Sequence, residues 1–449
     1  MTEMKMFQRH RERLLAELEK RGAAAVIPTA TPKTRNNDCE YRFRPDSDFW
    51  YLTGFAEPEA VLVLLPGQAE GEAKRSVLFL RERDKEMEIW NGRRLGVERA
   101  AEVLGVDEAY PECELWERLP GLLKGYASIL YPLGRDSEFD RDLAECLGLL
   151  RRRARNDTLP PVELVDPLPL LHELRLYKDE DELEIMRRAA AVTAEAHVAA
   201  MAATAPGKQE YEIDALLEGT FRSRGGTGAA YANIVAGGAN ACILHYIEND
   251  MALQAGDLLL IDAGCEFDYY ASDVTRTFPV DGTFSPEQRA IYELVLRVQK
   301  EAVAAVRPGV TYTAIHDRVV RELTAGLVEL GLLEGEVDEL VESGAFRRFY
   351  MHGTGHWLGL DVHDCGAYAT IDGPRALSPG MVLTIEPGIY VAPDDEEVEE
   401  RWRGIGERIE DDVLVTAEGH ENLTAAIPKE VLEVEAACKG GAAVAGARS

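Results

Sequence analysis

The chain has 449 residues, 46% hydrophobic and 29% charged, enough for two or three domains and for a sizeable buried core. Lysine and arginine number 49 against 80 aspartate and glutamate, a formal charge of −31. So acidic a surface repels phosphate backbones and anionic lipid, which disfavours nucleic acid and membrane surfaces as partners, and the composition excludes global disorder.

The opening segment, MTEMKMFQRHRERLLAELEKRG, is charged and amphipathic, without the apolar centre of a secretory signal. Its spacing predicts a helix over 8–21, and a second helix is predicted over 96–104. The apolar runs at 23–28, 60–67 and 75–83, bounded by Pro and Gly turns, read as buried strands. This alternation predicts an α/β layer domain. The RRRAR cluster and DTLPP turn after residue 150 mark a change of regime, and a Gly- and Pro-free helix is predicted from Asp179 to Ala203. The boundary falls near 170–177, giving domains 1–172 and 173–436 and a low-complexity tail, 437–449, expected to be disordered. No run approaches the roughly 18 apolar residues of a membrane-spanning helix. The seven cysteines (Cys39, Cys113, Cys146, Cys242, Cys265, Cys365, Cys438) are odd in number and never spaced CxxC, so they read as reduced thiols of a cytoplasmic protein.

The second half carries a faint internal duplication. Pro206-Gly207 with Ile213 six residues on recurs as Pro308-Gly309 with Ile315, an offset of 102. AGDLLLIDAG (255–264) matches PGMVLTIEPG (379–388), placing Asp262 opposite Glu386 at an offset of 124. A true repeat with an acid at the same strand position would set two carboxylates about a pseudo-twofold axis, with an insertion in the second copy.

Four acids sit in strand-like apolar contexts: Asp262 after LLLI, Asp273 in ASDVTRTF, Glu386 after VLTI and Glu410 in RIEDDVLV. A hairpin would let Asp262 face Asp273 across paired strands. Converging buried carboxylates repel one another unless protonated or neutralised by cations, and two divalent ions balance four negative charges. Of nine histidines, His352, His356 and His363 fall within twelve residues among glycines, and His245 lies in ACILHY. One imidazole with four carboxylates suits Mn²⁺, Co²⁺, Fe²⁺ or Zn²⁺. The chain has no GxSxG elbow, phosphate loop or HExxH helix.

IDAG…SDVTRTF, MHGTGHWLGLDVHD, LTIEPGIY and GERIEDD, in that order, resemble the metal-binding signature of the pita-bread peptidases, and within them the aminopeptidase P family. RNNDCEYRFRPDSDFWYLTGFAEPEAVLVL and EIWNGRRLG resemble that family's N-terminal domain. The resemblance implies an N-terminal α/β domain with a mixed sheet, followed by a pseudo-twofold pita-bread domain. It implies two metal ions, most readily Mn²⁺, on Asp262, Asp273, His356, Glu386 and Glu410, with Asp273 and Glu410 bridging. His245, His352 and His363 match the family's substrate-side histidines, Arg408 a position that orients a carboxylate ligand, and Tyr390 a position near the glutamate ligand. Asp38 and Trp90 match residues that the family brings to the site from a neighbouring subunit, so a homo-oligomer, dimer or tetramer, is implied. Trp90 also fits a core position, and Arg408 a strand-face charge paired with Glu407 or Glu410. Arg375, in the 369–380 stretch, is given no substrate role.

The implied activity is release of the N-terminal residue from peptides with proline second, by attack of a metal-bridging hydroxide with Glu386 relaying the proton. Prolidase, which splits Xaa-Pro dipeptides, and a non-catalytic peptide-binding protein on the same fold are the alternatives.

Overall fold

A computed structural model describes residues 2–68, 72–153 and 160–440. Part of the segment read as a change of regime (154–159) and the tail from 441 on lie outside the described residues. The chain divides into two units, Met1–Arg175 and Leu176–Ser449.

The first unit is built on one six-stranded sheet, in the order Glu108–Pro111, Arg75–Leu80, Val61–Leu65, Ala23–Pro28, Ser128–Leu130, Glu163–Val165. The central pairs are antiparallel and the flanking ones parallel, so the sheet is mixed as expected. Its three central strands are continuous apolar runs because both faces are covered, and these are the strands the sequence announced. The opening helix starts earlier than predicted, at Thr2, and runs to Arg21. The PDSDFWYLTGF motif forms the helix Ser47–Thr53. Asp46 caps it by accepting the Asp48 and Phe49 amides, and Gly54 ends it at φ +64°. Asp48 in turn accepts from Arg175 at 2.8 Å and Arg135 at 3.0 Å.

In the second unit, α1 (Glu180–Ala203) and α2 (Glu210–Ser223) precede β1 (Ile234–Gly237), β2 (Leu258–Asp262) and β3 (Thr275–Pro279), which form an antiparallel sheet with β2 central. The pattern then repeats. Helices α3 (Pro286–Ala305) and α4 (Tyr312–Glu329) precede β4 (Val382–Ile385), the hairpin partners β5 (Gly388–Tyr390) and β6 (Gly406–Arg408), and β7 (Asp411–Val415), which pairs antiparallel with β4. A last helix, α5 (Val431–Cys438), buries Val434 and Ala437.

The duplication is real and keeps the register read from sequence. Gly207 and Gly309 join the two helices of their copies at φ +88° and +86°, and Gly256 and Gly380 stand at +88° and +89°, conformations that favour glycine. Gly207 N–H donates to Leu253 O at 2.8 Å, and Gly309 N–H to Leu377 O at 2.9 Å. Gln209 bridges Ala252 just as Thr311 bridges Ala376. Both isoleucines of the motif, Ile213 and Ile315, are buried in one continuous core. The extra residues of the second copy hold a short helix, Val337–Ser343, and the hairpin Ala369–Thr370/Gly373–Pro374.

Candidate metal centre and peptide cleft

The repeat delivers its paired acids at strand ends. Asp262 is the last residue of β2, and Glu386 follows β4 directly. Asp273 and Glu410, expected inside strands, instead lie just before β3 and β7, where the chain leaves the ladder and can turn a carboxylate inward. Asp262 accordingly pairs in register with Thr275, not Asp273. The small strands Cys265–Phe267 and Tyr270–Ala271 fill the hairpin between the two acids. Gly264 is obligatory there, since a Cβ would sit 1.6 Å from Ser272 O.

Asp262, Asp273, His356, Glu386 and Glu410 line a single cleft of about 520 Å³, together with Tyr231, His245, His352, His363 and Arg408. One donor atom from each of Asp273, His356 and Glu410 lies within 4.8 Å of the others. His356 Nδ1 faces Trp357 O at 3.0 Å, which fixes one proton on Nδ1, so that the neutral ring presents its lone pair at Nε2. That Nε2 lies 3.3 Å from Asp273 Oδ2 and 3.7 Å from Glu386 Oε1. The His356 backbone is held against β4: its amide donates to Thr384 Oγ1 and its carbonyl accepts the Thr384 amide. Gly355 permits this approach, because a Cβ would meet Thr384 O at 1.9 Å.

Electrostatics show how poorly the cluster tolerates its own charge. Burial pushes Glu386 up to about 7, against the pull of His356 and Arg408. Burial and repulsion from Asp273, Glu386 and Asp262 hold Glu410 well above the usual carboxylate range. Burial also raises Asp262, with Arg408 opposing. For Asp273, burial is outweighed by His356, and its pKa falls; burial lowers His356, but Asp273 more than reverses this and lifts it to about 9. A pocket of oxygen donors with one imidazole lone pair, short of positive charge, fits two divalent cations.

Several neighbours orient the acids. Arg408, from β6, donates to Asp262 Oδ2 at 2.7 Å, Thr275 Oγ1 at 3.0 Å and the Tyr390 hydroxyl at 2.8 Å. Thr275 Oγ1 donates to Glu410 Oε2 at 2.7 Å. Arg408 thus pairs with neither Glu407 nor Glu410; Glu407 is fully buried, with no hydrogen bond on either oxygen among the described residues. Tyr231, which lies in no motif, places its hydroxyl 2.6 Å from Asp262 Oδ1 and 2.5 Å from Asp273 Oδ1. Asp412 accepts the Asp273 amide and Ser272 Oγ, fixing the segment that carries Asp273. Tyr231 carries no sequence signal and Asp412, though it closes the GERIEDD motif, has none for its role, since their partners are distant along the chain. Behind the site, fully buried Arg276 donates to Asp411 Oδ1 at 2.7 Å and to the carbonyls of Thr275, Glu410, Ile427 and Pro428.

The histidines differ. His352 Nδ1 lies 2.7 Å from Gly353 O and Nε2 2.8 Å from the Tyr390 hydroxyl, so a neutral ring uses both nitrogens within the protein. Burial and Arg408 depress its pKa to about 3. His363 stands edge-on to His356 with ring centroids 4.3 Å apart. Among the described residues, the rings of His245 and His363 carry no hydrogen bond and face the cleft. Ile234, Leu244, Ile247 and Val362 supply its apolar wall. Asp38 and Trp90 belong to the first unit. Both are exposed, Trp90 at 83%, so Trp90 is not a core residue. Arg375 donates to Ala367 O.

Comparison with known proteins agrees with this geometry. The model for metallopeptidase family M24 matches residues 184–417, and that for the aminopeptidase P N-terminal domain matches 7–131. The Xaa-Pro aminopeptidase of Escherichia coli K12 is 47% identical over 430 residues, 96% of each chain. A solved aminopeptidase from Pseudomonas aeruginosa superposes with a TM-score of 0.94 at 51% identity over 98% of both chains. Zinc-substituted E. coli aminopeptidase P in complex with product gives 0.93 at 46% identity, over 98% of this chain and 99% of that one. The chain belongs to metallopeptidase family M24, in the branch that carries the aminopeptidase P N-terminal domain.

Proposed function

We infer that this chain is a metallo-aminopeptidase that releases the N-terminal residue from peptides with proline in second position. The observation that carries the reading is the convergence of Asp262, Asp273, His356, Glu386 and Glu410 on one cleft with two histidines facing it. Those five residues would hold two divalent ions, Mn²⁺ first among candidates, with Asp273 and Glu410 shared. When bound, the pair supplies an activated water and a Lewis acid for the scissile carbonyl. The protein's own part is positioning and proton handling. Glu386 would take a proton from the attacking water and return it to the departing proline nitrogen. His245 and His363 offer ring donors to the oxygen that becomes negative in the transition state. His352 acts through Tyr390 and Arg408 instead, bracing Asp262.

The substrate's free amino group would bind near Asp262, limiting action to chain ends. An Xaa-Pro bond has no N–H to recognise, so selectivity rests on shape, and the apolar wall of Ile234, Leu244, Ile247 and Val362 supports this. Exposed Asp38 and Trp90 suit contribution to a neighbouring copy's site in a homo-oligomer. No helix among the described residues is long and apolar enough to cross a membrane. With seven free cysteines, the cytoplasm is the proposed location. Prolidase is disfavoured by the N-terminal domain match and a pure binding role by the full donor set.

The test is hydrolysis of an Xaa-Pro-Xaa tripeptide beside an Xaa-Pro dipeptide in Mn²⁺ buffer with a chelated control. Chelator-sensitive tripeptide cleavage is expected; dipeptide preference would indicate prolidase, and no cleavage of either by metal-loaded protein would defeat the reading.

A further inference from the structure

Glu210 is the first residue of α2, fully buried, and belongs neither to the cluster of acids nor to the cleft. Its carboxylate gathers four donors from one long excursion of the chain. Oε1 accepts the Gly237 amide at 2.7 Å and Asn240 Nδ2 at 3.1 Å; Oε2 accepts the Tyr246 hydroxyl at 2.7 Å and the Met251 amide at 2.9 Å. Its own amide donates to Met251 O at 3.0 Å. The segment so gathered, 237–251, carries Leu244, His245 and Ile247, the substrate-side wall of the cleft. His245 and Ile247 are exposed and bring little burial to hold this wall. Buried Asn249 adds a second tie, to Asn233 O and the Val235 amide.

The internal repeat supplies an independent argument. The position equivalent to Glu210 in the second copy, at the offset of 102 that relates Gly207 to Gly309, is Tyr312, the first residue of α4. Its hydroxyl accepts the Gly355 amide at 3.0 Å, within the loop that runs from His352 to His356. Two unlike side chains, at one repeat position, each reach the histidine-bearing loop of their own copy.

We propose that Glu210 is a positioning residue for the proposed reaction, holding His245 and the apolar wall at substrate distance, with Tyr312 serving the opposite loop. Four hydrogen bonds to one buried carboxylate are charge-assisted, and an amide in its place offers one acceptor where two are needed. The proposal rests on the peptidase reading. The parent chain is therefore assayed first, and backbone amide exchange provides a readout that does not depend on activity.

The experiment compares Mn²⁺-loaded parent, Glu210→Gln, His245→Ala and the double variant with an Xaa-Pro-Xaa tripeptide. Glu210→Gln is expected to bind the same metal stoichiometry, to speed amide exchange within 237–251, and to lower kcat/KM at least tenfold. The loss should be clearly smaller in the His245→Ala background, because the share carried by His245 is already gone and only the displacement of the apolar wall remains. Equal losses in the two backgrounds, or unchanged exchange in 237–251, would overturn the proposal. If Glu210→Gln does not fold, Tyr246→Phe and Asn240→Ala, each removing one donor, are measured the same way: a smaller His245-dependent loss supports the proposal and full activity in both defeats it. An inactive parent whose exchange still rises on Glu210→Gln would locate the error in the peptidase reading.

Discussion

Arg408 Nη2 lies 2.7 Å from Asp262 Oδ2, a buried pair that joins the last strands of the unit to the first acid of the centre. The guanidinium directs its other donors to Thr275 and Tyr390, and its fork is what makes three partners reachable at once. Arg408→Lys should therefore fold yet bind Mn²⁺ about 10-fold or more weaker, because a single ammonium cannot orient Asp262 and Thr275 together. Titration against a competing chelator measures this. Arg408→Met, which strands Asp262, should destabilise by about 3–5 kcal/mol in denaturant unfolding.

Tyr231→Phe should remove the hydroxyl that lies against two of the proposed ligand carboxylates, Asp262 and Asp273. The expected result is a 10- to 100-fold drop in metal affinity, roughly, with activity largely restored at saturating Mn²⁺. A variant with parental affinity would make the Tyr231 contacts incidental.

The metal-free protein should have an unusual pH profile. Glu386 is held at about 7 by burial and His356 at about 9 by Asp273, both above their ordinary values, so near neutrality the folded chain binds more protons than the unfolded one. Such groups stabilise fully below their unfolded pKa and lose that contribution as pH climbs through the folded one. Asp273, whose pKa is lowered, acts oppositely in acid, and His352, depressed to about 3, acts oppositely up to its unfolded value of about 6.5. Chelated protein should thus lose a few kcal/mol between about pH 6.5 and 9, since each tenfold change in proton affinity on folding is worth about 1.4 kcal/mol. Scanning calorimetry with EDTA and with Mn²⁺ tests this: the loaded form should show a much flatter dependence, since cations stand where protons did.

Glu407 is a liability. Its neighbour across the ladder is Ile389, and burial drives its pKa well above the usual range, with no partner for either oxygen among the described residues. Glu407→Ile should stabilise by about 1–3 kcal/mol, read as a higher Tm with unchanged kcat/KM.

Much of this was legible in the sequence because it is local. The central strands of the first unit are unbroken apolar runs, and the repeat shows in two short matches whose offsets survive into hydrogen bonds at Gly207/Leu253 and Gly309/Leu377. The acids stand out because carboxylates seldom end apolar runs. What stayed hidden is what proximity creates. Tyr231 meets Asp273 across 42 residues and Asp412 meets the Asp273 amide across 139, with no periodicity to betray either. The parallel edge strands of the first unit are short and partly polar, Glu163–Val165 with two exposed residues, so neither alternation nor an apolar run marks them. Asp273 and Glu410 fall outside strands because a residue within a ladder points along the pleat, whereas one at its end can turn inward.

The buried guanidinium of Arg276 comes from the first copy of the repeat, yet apart from the neighbouring Thr275 carbonyl its partners, Asp411, Glu410, Ile427 and Pro428, belong to the second. Each copy has its own helix pair and its own sheet, and so resembles an ancestor able to live alone, pairing with its twin. That independence is gone. A half severed from its sibling would carry either a buried cation with nothing to neutralise it or Asp411 held by Lys429 alone, so neither copy keeps its buried charges balanced as the pair does.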